Sequence, residues 1–266
     1  MQRPALDIAQ LRSSLTEVAE LSFYTGVEVV ESTGSTNADL IARAAADPGI
    51  DRIALLAEAQ EQGRGRHARV WVSPPRAQIS LSVLVRLHGI DPNALGWLTL
   101  LTGVAVVDAL RSTASVPAAL KWPNDVLIEG RKVAGILAEV AESGANPAVV
   151  VGVGLNVSLT EDELPVPHAT SLTLSGAAIT DRTALVRSML TEFARRLTAW
   201  RDAGWAVDEL AADYRTRCAT LGARVRADLP GGQALTGIAT DIDAAGRLLI
   251  GDQAVSAGDV THLRAE

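Results

Sequence analysis

Apolar positions along the chain follow two different periods, which separate helices from strands. In residues 7–20 the apolar side chains lie three or four residues apart, so they form one face of a helix. Residues 78–87 instead alternate apolar and polar side chains, which predicts a strand with one buried face. Residues 94–112 are mostly apolar and predict a buried helix. Further strands are predicted at 27–31 and 52–59, and a helix at 39–46 capped by Asn37 or a neighbouring hydroxyl.

The second half of the chain divides into three regions. Residues 118–157 contain four apolar runs separated by short turns, and adjacent runs of this kind pair antiparallel. Residues 182–217 carry two helical patterns interrupted near Gly204. Beyond Leu221, short strand-like runs and glycine-containing turns predict a small β module. We therefore predict a large domain over 1–217 and a small one over 218–266.

Bulk composition restricts the class of protein. The chain has 266 residues, 48% of them hydrophobic and 21% charged, with a net charge of −7. An acidic pI of about 5.2 argues against a general nucleic-acid binder. Cys218 is the single cysteine, so neither a disulfide framework nor a cysteine metal site is expected. We find no signal-peptide core and expect no membrane-spanning run, which predicts a cytoplasmic protein without a membrane partner.

Lysine usage singles out one short segment. Only two of the 24 basic residues are lysines, and both, Lys121 and Lys132, lie within twelve residues of each other. One explanation is codon bias toward arginine, with two lysines left by chance. The clustering favours a function that needs a compact, rotatable charge rather than a planar guanidinium.

Residues 61–71, EQGRGRHARVW, combine three arginines with two glycines. The segment GRGRHA formally matches a dinucleotide fingerprint, but that motif must open a helix. Pro74 and Pro75 stop a helix almost at once, so the match fails. A long cationic loop remains, which is either a mobile anion-binding lid or a solvated turn.

The segment KWPND, residues 121–125, places polar side chains at a bend between two strands. Asp125 is either a candidate Mg²⁺ ligand, because this cation prefers carboxylate oxygen, or part of an ordinary turn. Gly135 interrupts the following strand, which indicates close approach by a ligand or a bulge.

Five segments together resemble the biotin–protein ligase family, of the monofunctional type that lacks an N-terminal DNA-binding domain. The family carries a Ser-Thr-Asn loop, a G-R-G-R-x-x-R-x-W lid, K-W-P-N-D, G-R-K-x-x-G-I-L-x-E and G-x-G-x-N. The matching segments stand here in that order, at 35–37, 63–71, 121–125, 130–139 and 152–156. The resemblance extends over residues 30–266, because the C-terminal module is similar to the family's SH3-like domain.

The resemblance implies an α+β fold, with a mixed, largely antiparallel sheet, flanking helices and similarity to class II tRNA synthetases, plus a small C-terminal SH3-like barrel. It also implies ATP and Mg²⁺ as cofactors. Biotin and MgATP would give biotinyl-5′-adenylate, and the acyl group would then pass to a lysine of a biotin carboxyl carrier domain.

The resemblance also assigns roles to individual residues. Lys132, Arg66, Arg69 and Asp125 would carry catalysis, with Asp125 as a Mg²⁺ ligand or as a base toward the acceptor lysine. The nucleotide would contact Arg69, Trp71, Asn124, Lys132, Leu155 and Asn156. Biotin would contact Ser35, Thr36, Asn37, Gln60, Gly63, Arg64, Gly65, Arg66, Lys132, Gly135 and Gly152.

Two other functions stay open from the sequence. A lipoate–protein ligase would make an analogous adenylate, but its lid differs from GRGRHAR. A non-catalytic biotin-sensing module would not need an intact Lys132, lid and Asn124–Asp125 pair. Only one helix fits before the Ser-Thr-Asn loop, so we expect no DNA-binding role. A monomer or a weak homodimer is expected.

Overall fold

The computed structural model describes residues 3–71, 73–229, 232–256 and 258–263. Its centre is a seven-stranded mixed sheet in the order β1-β2-β3-β7-β6-β5-β4. Only β1 and β2 pair in parallel, and the other neighbours are antiparallel. The strands are β1 (Gly26–Val30), β2 (Ile53–Ala57), β3 (Gln78–Arg86), β4 (Ala118–Lys121), β5 (Asp125–Ile128), β6 (Arg131–Glu142) and β7 (Ala148–Asn156).

Helices cover both faces of this sheet. They are α1 (Ile8–Glu17), α2 (Thr36–Ala46), α3 (Gly96–Ala109), α4 (Arg182–Asp202) and α5 (Asp208–Arg217). On one face α3 and α4 pack against the sheet, over the apolar side chains of β3 such as Leu81 and Val83. On the other face α2 packs through Leu40 and Ala44 against Leu84. The mixed, largely antiparallel sheet with flanking helices is thus confirmed.

The predicted elements are present, and their ends shift by a few residues. The helix predicted at 39–46 begins earlier, at Thr36, because the Ser35 hydroxyl caps it by accepting a hydrogen bond from the Ala38 amide. The hydroxyl alternative for the cap was therefore right, and Asn37 lies within the first turn. The helix predicted at 94–112 runs as α3 and ends in a π turn, Leu110–Ala114.

One expectation about apolar runs was wrong. The continuous helical segment Pro92–Ala114 is 23 residues long and contains an 18-residue window with a mean hydropathy of 1.5, so by length and composition it could span a membrane. It is a core helix in this fold, since 67% of the apolar window is buried between the sheet and α4. A buried helix is apolar on all sides because both of its faces contact protein.

The C-terminal module is a five-stranded antiparallel sheet, as predicted for a small β unit, in the order β11-β10-β9-β8-β12. Two buried tryptophans attach it to the larger sheet. The Trp97 indole N–H donates to the Ala244 carbonyl at 2.8 Å, and that of Trp122 donates to the Gly246 carbonyl at 3.0 Å. The strands are β8 (Arg224–Asp228), β9 (Ala234–Ile242), β10 (Leu248–Ile250), β11 (Gln253–Val255) and β12 (Asp259–His262).

Candidate active site

The predicted site segments meet at one cavity of about 530 Å³ on the α2 side of the central sheet. Its floor is formed by β3, β6 and β7, and its walls by the N-terminus of α2, the KWPND bend, residues 64–71 and β12. All the predicted site residues line it except Gly63 and Leu155. Gly63 lies behind the wall, and the Leu155 side chain is fully buried in the core on the opposite face of the sheet.

Glycines on β7 and serines on β3 form the floor. Ser82 pairs with Gly152 and Ser80 pairs with Gly154 in the register of these strands. A Cβ at Gly152 would lie 2.3 Å from Asn37 Oδ1, and one at Gly154 would lie 2.4 Å from Trp71 Nε1. The two glycines therefore leave two slots, one for the Asn37 amide and one for the Trp71 indole.

The beginning of α2 supplies buried polar groups to one end of the cavity. The Thr36 amide donates to Gln60 Oε1 at 2.9 Å. Thr36 and Asn37 are 3% and 4% exposed, so both side chains lie deep in the wall. The Asn37 amide is fully used within the protein, through Ser82, Leu137 and Glu139.

The arginine-rich segment folds back on itself as a short two-stranded turn. The Trp71 amide donates to the Gly63 carbonyl at 2.8 Å, and the Gly65 amide donates to the Arg69 carbonyl at 2.7 Å. A Cβ at Gly63 would lie 2.1 Å from the Trp71 carbonyl oxygen, so this close approach needs glycine. Residues 61–71 therefore cover the cavity from one side as a compact flap.

Trp71 lies on the cavity floor. Its indole N–H donates to Gln78 Oε1 at 2.7 Å, and a Cβ at Gly135 would lie 3.3 Å from the ring. Lys132 Nζ is 5.5 Å from the ring centroid, within the range of a cation–π contact. The indole thus covers Gly135 and Gly154, the narrowest part of the floor.

The three arginines of the flap contact different partners. Arg64 pairs with Glu139 at 3.2 Å, and Arg66 donates to Asn124 Oδ1 at 3.2 Å. Arg69 forms an ion pair with Asp259 of the C-terminal module. Burial lowers the pKa of Arg66 from its ordinary value, and the Asp259 carboxylate acts in the opposite direction. Three guanidinium groups therefore line one side of the cavity.

Lys132 lies at the centre of the cavity beside a carboxylate. Its ammonium forms an ion pair with Asp125, and Lys121 Nζ lies 3.7 Å from the same carboxylate. The Lys132 backbone is held on both sides, because its amide donates to the His168 carbonyl and its carbonyl accepts from the Thr170 amide, each at 2.8 Å. The Lys132 side chain therefore enters the cavity from a fixed backbone position on β6.

The two asparagines hold loops at the cavity. Asn124 Nδ2 donates to the Ile136 carbonyl at 2.9 Å, which closes the KWPND bend onto β6. Asn156 is 2% exposed, and its Nδ2 donates to the Thr170 carbonyl at 3.0 Å. Both amides line the cavity wall.

The surroundings of Asp125 do not fit a protein-ligated magnesium site. Its carboxylate is held between two lysines, and a Mg²⁺ ion there would have to displace both ammonium groups. Within residues 3–71, 73–229, 232–256 and 258–263, no three histidine, cysteine or acidic side chains converge as metal ligands would.

Several residues that line the cavity or hydrogen-bond to its lining were not predicted as part of the site. Gln78, Ser80 and Ser82 follow every second position of one strand, and this polar stripe was a usable signal in the sequence. Glu139 ends a recognised motif but was given no role. Asp259 lies 190 residues from its partner Arg69, so no local pattern could connect them.

Comparisons with known proteins point to one family. The family described as "Biotin/lipoate A/B protein ligase family" matches residues 29–156, and "Biotin protein ligase C terminal domain" matches residues 220–263. The biotin–[acetyl-CoA-carboxylase] ligase of Mycobacterium tuberculosis is 50% identical over 98% of this chain and 97% of its own length. The bifunctional ligase/repressor BirA of Escherichia coli is 32% identical, over 74% of this chain and 61% of its own length.

Solved structures show the same fold. The biotin protein ligase of Aquifex aeolicus, determined in complex with biotin and ATP, superposes with a TM-score of 0.75 at 25% identity. That match covers 91% of this chain and all of the other. With a relative that is 50% identical along nearly the whole length, the chain belongs to the biotin protein ligase family.

Proposed function

We propose that this chain is an ATP-dependent biotin–protein ligase. It activates biotin to biotinyl-5′-AMP and transfers the biotinyl group to a lysine of a biotin carboxyl carrier domain. The observation that carries the proposal is one cavity that joins a buried polar end, at Thr36 and Gln60, to a cationic end at Lys132 and Arg66. The polar end suits the neutral head of biotin, and the cationic end suits a carboxylate beside a phosphate.

The first half-reaction joins two anions. The biotin carboxylate attacks the α-phosphorus of ATP, a P–O bond forms, and pyrophosphate leaves with the electrons of the broken P–O bond. Lys132 bridges the carboxylate and the α-phosphate, while Arg66 and Arg69 stabilise the negative charge on the phosphate oxygens. Preorganised charges of this kind act most strongly where water is excluded.

In the second half-reaction the acceptor lysine attacks the acyl carbon. The amide C–N bond forms, the acyl C–O bond breaks, and AMP leaves. Free lysine has a pKa of ~10.4, so little neutral amine exists at pH 7. Asp125 holds the position of Lys132, and as the carboxylate beside that ammonium it is the candidate to accept the proton of the incoming lysine. Its fixed place between two lysines supports positioning as its first role.

The flap and the cavity wall complete the site. Residues 61–71 cover the mixed anhydride and keep water from hydrolysing it, with Trp71 as the largest apolar surface in the flap. Asn124 and Asn156 face the nucleotide, and the backbone at Leu155 borders it. Because both lysines pair with Asp125, this carboxylate serves to hold Lys132 rather than Mg²⁺. That ion is commonly bound mainly by the phosphates of its nucleotide.

The proposal extends to the domain organisation, cellular location and partners of this protein. Residues 1–217 form a catalytic domain related to class II tRNA synthetases, and residues 218–266 form an SH3-like barrel beside it. The enzyme acts in the cytoplasm on a carrier domain of a biotin-dependent carboxylase, as a monomer or weak dimer, without DNA or membrane. Supporting these points are the compact C-terminal sheet, the acidic pI and the ligase names of the relatives.

Biotin-dependent ATP–pyrophosphate exchange, followed by biotin transfer to a purified carrier domain, tests the function. We expect exchange with biotin and little with lipoate, since lipoate has no ureido group for the polar end of the cavity. Exchange with lipoate alone would favour the lipoate-type ligase. No exchange with any acyl acid would refute an enzymatic role and leave a biotin-sensing module.

A further inference from the structure

A chain of hydrogen bonds, buried except at its Glu139 end, runs beneath the polar end of the cavity. It starts at the Glu139 carboxylate, passes through Asn37 and Ser82, and ends at Thr36. Asn37 Nδ2 lies 2.8 Å from Glu139 Oε2, Ser82 Oγ lies 2.6 Å from Asn37 Oδ1, and Thr36 Oγ1 lies 2.7 Å from Ser82 Oγ. Thr36, Asn37 and Ser82 are all buried, whereas the Glu139 side chain at the far end is 27% exposed.

The hydrogen bonds of this chain run in one direction, because only one orientation of the Asn37 amide satisfies its neighbours. Its NH₂ group faces two acceptors, the Leu137 carbonyl at 3.1 Å and the Glu139 carboxylate. A flipped amide would place its oxygen against both of them. The oxygen therefore faces Ser82, in the slot that Gly152 leaves open.

The direction of donation is then passed on by the hydroxyls of Ser82 and Thr36. Each hydroxyl has one proton to donate. The Ser82 proton goes to Asn37 Oδ1, so Ser82 can only accept from Thr36. The proton of Thr36 is therefore used by Ser82 and is not offered to a ligand. Thr36 Oγ1 also lies 3.1 Å from Gln60 Oε1. We assign its proton to the shorter contact, the one with Ser82.

The two cavity-lining groups at the end of this chain, Thr36 and Gln60, are thereby fixed, one as an acceptor and the other as a donor. Thr36 Oγ1 keeps its lone pairs for a ligand and acts as an acceptor. Gln60 Oε1 is occupied by the Thr36 amide, so the Gln60 NH₂ group is left as a donor. An acceptor beside a donor complements a cyclic urea, which presents N–H groups next to a carbonyl.

We propose that Glu139, Asn37 and Ser82 are positioning residues that set the donor and acceptor sense of the biotin head-group pocket. Resting on the proposed function, this assignment adds a basis for head-group specificity. A pocket whose polar groups have fixed senses rejects a ligand that leaves them unpaired. Arg64, which pairs with Glu139, extends the chain to the flap at its far end.

The first test is Ser82→Ala, with Ser14→Ala as the matched control. Both serines are buried, at 0% and 2% exposure, but Ser14 lies in α1 and donates to the Gln10 carbonyl. We expect Ser82→Ala to weaken binding of biotin and of desthiobiotin by the same factor, about 10-fold or more, because both carry the same cyclic urea. KM for ATP should stay within about twofold of the wild-type value.

The second test exchanges the amide of Asn37 and the carboxylate of Glu139. Asn37→Asp alone sets a carboxylate against Glu139 and the Leu137 carbonyl, so we expect biotin affinity to fall about 100-fold. Adding Glu139→Gln supplies a donor to the new carboxylate and should recover about 10-fold of that loss. Glu139→Gln alone should change affinity only a few-fold, since an amide oxygen still accepts from Asn37.

The outcomes separate this proposal from the function beneath it. A wild-type chain that does not bind biotin would refute the proposed function. A wild-type chain that binds biotin, with Ser82→Ala binding equally well, would overturn the positioning role. Equal losses for biotin and ATP in Ser82→Ala, with a melting temperature far below that of Ser14→Ala, would also overturn it. If Asn37→Asp fails to fold, the Ser82→Ala comparison decides alone.

Discussion

At the scale of single residues, Lys132 shows how much depends on the shape of one charged group. Its ammonium contacts the Asp125 carboxylate, and its stem lies against Gly135, where an added Cβ would be 3.3 Å from Nζ. The Trp71 ring stands on the other side. A guanidinium is planar and larger than an ammonium, so it cannot occupy the same space between these three neighbours.

Lys132→Arg should therefore keep the charge and lose activity. By comparison with loss of one preorganised charge-stabilising donor, we expect a cost of ~3 kcal/mol, roughly 10²-fold in adenylate formation. Biotin-dependent pyrophosphate exchange measures this directly. Lys121→Arg is the matched comparison, since it changes the same residue type near the same carboxylate at 3.7 Å, and it should lose much less. Near-normal exchange by Lys132→Arg would refute the bridging role.

At the scale of elements, the flap at residues 61–71 combines a defined fold with a weak attachment. Its internal hydrogen bonds join Gly63 to Trp71 and Gly65 to Arg69, but its arginine contacts are mostly exposed ion pairs. Exposed pairs of this kind contribute little to stability. We therefore expect the flap to open as a unit and, under the proposed function, to gain its main anchor from the phosphate of a bound adenylate.

Trypsin cleavage measures this opening, because the enzyme cuts after arginine. We expect cleavage after Arg64, Arg66 and Arg69 to slow about 10-fold when biotin and ATP are both present, as ordering of the flap removes the extended conformation that proteases need. Cleavage after Arg247, which is exposed in the turn between β9 and β10, serves as the control. Equal flap cleavage with and without the two substrates would contradict the lid function.

At the scale of the whole molecule, the C-terminal module borders the active site and supports it. Thr220 Oγ1 accepts from the Trp122 amide at 3.0 Å and contacts His262 Nε2 at 3.0 Å. Trp122 precedes the proline of KWPND, so this joint holds the bend that carries Asp125. Asp259 of the same module pairs with Arg69 in the flap.

This joint should make stability depend on pH. Burial lowers the pKa of His262 below its ordinary value of 6.5, and the nearby Lys121 ammonium lowers it further. The folded state thus prefers the neutral ring. The contribution of His262 to the free energy of unfolding is therefore complete above pH 6.5 and is lost as the pH falls through the folded-state pKa. Urea unfolding between pH 5 and 7 should show a smaller loss of stability for His262→Gln than for the wild type. Identical pH slopes would contradict this assignment.

Local patterns in the sequence predicted most of the elements and nearly all of the cavity residues. Apolar periodicity located the core helices and the strands of the sheet, because burial requires one period for helices and another for strands. The motif residues from Ser35 to Asn156 lie around one cavity, as the resemblance implied. The side chain of Leu155 lies outside the cavity, since strand alternation turns it to the core while Asn156 faces the cavity.

The sequence by itself thus determined the family, the chemistry and the identity of the charged groups. The tertiary structure alone decided which groups are partners. It joined Asp259 to Arg69 and Glu139 to Asn37, and placed Trp71 over Gly154. Such contacts depend on which strands lie side by side. Pairing across the sheet brings residues far apart in the chain within hydrogen-bonding distance, and no local pattern encodes the direction of the resulting hydrogen bonds.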